Sequence, residues 1–256
     1  MIPQFALRLI VGLSLTWCLL PRRQITSGFF RIQMLVTLAF NVLVALTAPQ
    51  WDGVGEGVGL TWLRAGAITG AIVSFVGSVL WTLERRRGGT VAAAIVFLLA
   101  TSTLLVVPVA LMHEPSPIWL RMLSSFSGAW LVGGLTGAML LGHWYLTATG
   151  MPLQPLQQGT RLAQAAAATQ LVVALLSVAL APTATRDALG TNQLVWSLLR
   201  WLAGIVGPLV LAWMTTGTLK YRNTQSATGV LFAGVILAFI GQAAALLLHR
   251  ELGWPL

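Results

Sequence analysis

Apolar runs of about 20 residues return eight times along this chain, each closed by a short break rich in proline, glycine or charge. A run of that length crosses the roughly 30 Å hydrocarbon core of a bilayer as a helix, where every backbone N–H and C=O must find its partner within the protein. The runs fall at about 5–20, 32–48, 60–82, 90–112, 124–147, 161–181, 194–218 and 227–248. The sequence therefore predicts an all-α polytopic integral membrane protein, a bundle of about eight transmembrane helices, with residues 1–256 forming a single transmembrane domain. The breaks, such as 21–23, 84–89 and 220–224, are too short to hold a soluble domain. The first run has no basic start and no small-x-small site, so it reads as a retained helix rather than a signal peptide.

Charge fits the same picture. Only 8% of residues are charged, against about 25% in an ordinary soluble domain. A net charge of +9 would suggest nucleic acid in a soluble protein, but here the basic residues gather in loops between spans. They read as topology signals and contacts to anionic lipid, and no nucleic-acid partner is expected. On one side stand Arg22, Arg23, Arg31, Arg85, Arg86, Arg87, Arg161, Lys220 and Arg222; on the other stand Arg8, Arg64, Arg121, Arg186 and Arg250. Nine against five places the first side in the cytoplasm of a bacterial-type cytoplasmic (inner) membrane, with both termini outside. The expected partners are the lipid bilayer and other membrane subunits or further copies of the chain. The single cysteine, Cys18, excludes an internal disulfide and any CxxC motif.

Two residue types point to packing. Trp17, Trp51, Trp62, Trp81, Trp119, Trp144, Trp196, Trp213 and Trp254 fall near span ends and read as an interfacial belt. Gly66 and Gly70, Gly133 and Gly137, and Gly134, Ala138 and Gly142 repeat at four-residue spacing, which allows close helix approach. Asn41 and Gln170, near mid-membrane, are expected to hydrogen-bond between helices.

Catalytic motifs are missing from the sequence. There is no HExxH, Walker or GxSxG pattern, and all six acids lie in loops or at span ends. A b-type haem needs two imidazoles at matching depth. His143 falls at the cytoplasmic end of its span, while His113 and His249 end theirs on the outer side, so only the latter two share a level, at the interface. No cofactor is predicted; haem b and a quinone are the candidates weighed.

Arg200 is the strongest functional clue, lying inside the run 193–218, which contains no acid. A guanidinium at such a depth costs about 2.5–3.5 kcal/mol on insertion scales and is normally turned toward protein or water. Gln242 falls at similar depth on the last span, with Arg64, Arg8, His113, Glu114 and His249 nearer the outer face. Such a set would line an outward-open pocket for a carboxylate, a phosphate or quinone carbonyls. The competing reading has Arg200 snorkelling to the interface and Arg8 and Arg64 anchoring head groups. A second polar group, His143, Tyr145, Arg161 and Gln164, gathers towards the cytoplasm, and Thr224 or Ser226 is expected to cap the last span. The stretch 151–156, with two prolines and no charge, is expected along the interface.

Three functional classes follow. The first is a membrane-embedded subunit or anchor of a larger assembly, linked to quinone or electron transfer, favoured by the lack of any catalytic motif. The second is a small transporter or permease with a cationic pocket around Arg200. The third is a lipid-acting membrane enzyme, disfavoured because no acid–base constellation appears.

Overall fold

The computed structural model describes residues 1–51, 58–110, 116–148, 150–183 and 190–255. Among these, eight helical segments are long and apolar enough to cross a membrane, and no strand forms. They are α1 (Ile2–Leu19), α2 (Ser27–Thr47), α3 (Val58–Thr82), α4 (Arg86–Ala110), α5 (Ile118–Thr147) and α6 (Gln154–Leu180). The seventh span is composite, α7 (Thr191–Trp201) running through a π-helical turn (Leu202–Val206) into α8 (Gly207–Lys220). The last is α9 (Thr224–Leu252). An even number of crossings leaves both termini on one face of the bundle, the terminal face; the loops with Arg22, Arg85 and Lys220 lie on the opposite, basic face.

Several helices begin three to seven residues before their hydropathy windows, because the windows discard polar interfacial residues that helices readily include. Helix α4 starts at Arg86, inside the expected break, after a tight turn in which Glu84 has φ 55°. The stretch 151–156 likewise divides. Leu153 is the N-cap of α6, Pro155 lies in its first turn and Leu156 is fully buried, so the second half of that stretch is helix rather than interfacial coil. The cap of α9 is Asn223, whose side chain accepts from the Ser226 N–H at 2.9 Å, in place of the expected Thr224 or Ser226.

Helix α5 is the axis, and its small residues explain why. Gly133 meets the backbone of α1 at Gly12, where an added Cβ would collide in either direction, and Gly137 meets Thr16. Gly134 faces Ala163 and Ala166 of α6, while Gly142 faces Thr228 of α9. In lipid there is no hydrophobic drive between helices, so this close approach and its dispersion contacts hold the bundle. On α3, Gly66 faces Thr103 of α4 and Gly70 faces Asn41 of α2, so the glycine spacings act as packing faces. Asn41 itself donates to Thr37 O of its own helix at 2.9 Å, and Gln170 Oε1 has no partner among the described residues; neither makes the expected interhelical bond there.

The tryptophans are not all a belt. Trp62, Trp119 and Trp213 are exposed on the outside of the bundle as expected, but Trp17, Trp51, Trp81 and Trp254 are buried. Trp81 stacks on Phe30 at 4.6 Å, and Trp254 Nε1 donates to Ser177 O at 3.0 Å. A span end packed against another helix is buried instead of wet, and hydropathy does not distinguish the two.

Candidate functional site

Helix α1 carries Arg8 at its middle, and the residue is 6% exposed. Its Nη1 donates to Gln242 Oε1 of α9 at 2.8 Å, and its Nε has no hydrogen-bond partner among the described residues. Gly128 of α5 makes room for this pair, since a Cβ there would lie 2.6 Å from Gln242 Oε1. Arg200, on the last turn of α7, is 3% exposed, and its Nε and Nη2 have no partner among the described residues. A guanidinium does not give up its proton under ordinary conditions, so two buried cations share the region.

The local sequence explains how Arg200 reaches this position. Pro208 has no N–H to donate to Gly204 O, and the π turn Leu202–Val206 absorbs that break immediately after Arg200. Gly204 and Gly241 then let the turn press against α9, a Cβ on Gly204 falling 2.8 Å from Gly241 Cα. The approach brings the Arg200 turn beside the Gln242 turn.

Arg8 and Arg200 line one partly open cavity of about 30 Å³ together with Gln4, Arg121, Ser124, Ser125 and His249. That is room for about two water molecules, or for the oxygens of an anionic group. Trp51, Leu104, Ala245 and Pro255 complete its wall. Pro255 is held by the tail that follows α9: Gly253 turns in the left-handed region at φ 63°, Ser116 Oγ donates to Gly253 O at 2.9 Å, and Ser177 Oγ donates to Pro255 O. Among the described residues the lining holds three arginines and no acid, a donor set that suits an anionic group.

Arg200 and His249 line this cavity, Gln242 adjoins it through its bond to Arg8, and Arg8 itself is buried in the cavity wall instead of lying exposed at the interface. Arg64 is exposed on α3 and does not line it, and His113 and Glu114 lie outside the described residues. The sequence reading missed Arg121, Ser124, Ser125, Gln4 and Trp51. The spacing Arg121-x-x-Ser124-Ser125 on α5 is a signal that could have found three of them.

The second predicted cluster is dispersed. Tyr145 is buried with Oη donating to Pro152 O, and Gln164 Nε2 donates to Ala212 O and Thr216 Oγ1 at 3.1 and 2.7 Å, tying α6 to α8. Arg161 is exposed and lines a separate cavity with Lys220, and His143 is exposed at the basic end of α5. His143 and His249 therefore stand at opposite ends of the bundle, too far apart to ligate one haem. No group of three or more metal-ligating side chains occurs among the described residues.

Fold and site together define a polytopic α-helical membrane protein with a cationic cavity on its terminal side. The chain matches no protein-family model, no curated protein and no solved structure.

Proposed function

We propose that the protein binds an anionic ligand in the Arg8–Arg121–Arg200 cavity and works as a small transporter or permease for it. The observation that carries this reading is Arg200, a buried guanidinium with two nitrogens lacking any partner among the described residues, beside a second buried guanidinium. A buried guanidinium with nitrogens left unpartnered among the described residues is costly, and an anion bound through charge-assisted hydrogen bonds offsets that cost. Gln242, held by Arg8, sets the donor direction. The count of basic loops supports a cavity that faces outward from a bacterial-type cytoplasmic membrane, with both termini outside.

The subunit reading draws its support from missing motifs, whereas the cavity gives the binding reading an observation of its own. The test is a thermal-shift titration of the purified protein with chloride, acetate, sulfate and inorganic phosphate. Wild type gains stability with at least one anion, and Arg200→Gln inserts at wild-type level but loses the response. A wild type indifferent to all four, or an Arg200→Gln variant that responds like it, overturns the proposal.

A further inference from the structure

Beside the cationic cavity runs an apolar groove of about 320 Å³ between α1, α2 and α9, lined by Phe5, Leu9, Phe40, Phe239, Ala243 and Leu246 among others. Cavity and groove use adjacent faces of the same two helices. On α1 the cavity takes Gln4 and Arg8 while the groove takes Phe5 and Leu9; on α9 the cavity takes Ala245 and His249, with Gln242 bonded to Arg8, while the groove takes Ala243 and Leu246. Each shift of one residue turns the helix face by about 100°, so one site lies just inside the α1–α9 seam and the other just outside it.

That seam is thin. Helix α1 packs chiefly on α5, α4 and α2, and α9 on α5, α8 and α7, with little backbone approach between α1 and α9 themselves. What closes the gap is side chains: the Arg8–Gln242 hydrogen bond at 2.8 Å and an edge-to-face Phe5–Phe239 pair at 5.0 Å. Side chains change rotamer far faster than helices separate.

We infer, resting on the anion-binding reading, that the ligand is an anionic lipid, its head-group oxygens held by Arg8, Arg121 and Arg200 and its chain lying in the groove across the α1–α9 seam. Three features converge. The cavity takes only a few oxygens, so most of any larger ligand stays outside it. The neighbouring groove has almost no polar surface and runs beside α1 from Met1 to Leu9, about 12 Å at about 1.5 Å per residue, a match for an extended alkyl chain. An amphiphile also arrives already in the membrane, so its charged end reaches the cavity sideways, past the Arg8–Gln242 hydrogen bond in the seam, while its chain stays in apolar surroundings.

The test uses the full-length protein in a steroid-based detergent too bulky for the groove, titrated with inorganic phosphate and with dodecyl phosphate, binding being read from thermal shift. Dodecyl phosphate is expected to bind at least tenfold tighter than inorganic phosphate. Ala243→Trp, at an exposed groove position, is expected to remove that advantage and leave inorganic phosphate binding unchanged. Arg200→Gln is expected to weaken both. Equal affinities, or a chain advantage that survives Ala243→Trp, overturn the lipid inference and leave the anion site standing. Absence of any Arg200-dependent binding by either probe overturns the anion site and the lipid inference together.

Discussion

Replacing Arg200 with Met should stabilise the unliganded protein and abolish its response to anions. Two nitrogens of Arg200 lack a partner among the described residues, and holding such a guanidinium away from water costs about 2.5–3.5 kcal/mol. Arg8, which lines the same cavity, adds like-charge repulsion. Methionine keeps the unbranched stem and leaves a void of about 25 Å³, which costs about 0.6 kcal/mol at about 24 cal/mol per Å³. The balance is a gain of about 2–3 kcal/mol. For a chain of this size one kcal/mol moves the midpoint by about 2–4 °C, so the expected rise is about 4–12 °C. Its tryptophans, eleven in all, make intrinsic fluorescence on heating a direct readout in one detergent with and without anion. Wild type is stabilised by about 2.7 kcal/mol at a hundred times Kd, and the variant by nothing. A lower midpoint in Arg200→Met, with the anion response intact, would refute the reasoning and make Arg200 a structural cation.

Gly241→Ala should destabilise by about 1–3 kcal/mol and weaken anion binding, because its Cβ would strike Gly204 and displace the neighbouring Gln242. Gly229→Ala, with nothing within 4 Å of the added Cβ, serves as the clash-free control in the same melts and should be unchanged or slightly stabilised. Gln164→Ala removes two hydrogen bonds between α6 and α8, and at about 0.6 kcal/mol each it should lower the midpoint by a few degrees without changing anion affinity. For orientation, single cysteines at exposed Tyr221 and Glu251 in a Cys18→Ala background should differ. Glu251→Cys should react with an impermeant maleimide on intact cells and Tyr221→Cys only after permeabilisation, and the reverse pattern would invert the proposed topology.

The bundle was legible in the sequence because a membrane span needs only length and apolarity, and both are local properties. Helix ends were less so, since residues such as Arg86 and Gln154 join a helix at the interface without being apolar. Among site residues, Arg200 and Gln242 announced themselves by sitting deep in apolar runs. Arg8 reads as lying nearer the outer face, and only the Gly12–Gly133 crossing reveals that its helix packs on the central α5. Arg64 shows the opposite error. Its depth resembles that of Arg121, but rotation about the helix axis turns it outward, and one sequence fixes that angle only through packing partners it does not name.

The same burial changes the orientation argument. Positive-inside bias acts through cations in loops and at span ends, and Arg8 and Arg121 are buried in the cavity wall. Removing these two from the five on the terminal side leaves three against nine, a steeper bias than the raw count. The two terminal-side arginines that weaken the topology signal are therefore ones the binding proposal needs. If they serve the ligand rather than the insertion machinery, Arg8→Gln and Arg121→Gln should leave the maleimide pattern unchanged while reducing anion binding. A change in labelling pattern in either variant would return that arginine to the topology count and remove it from the site.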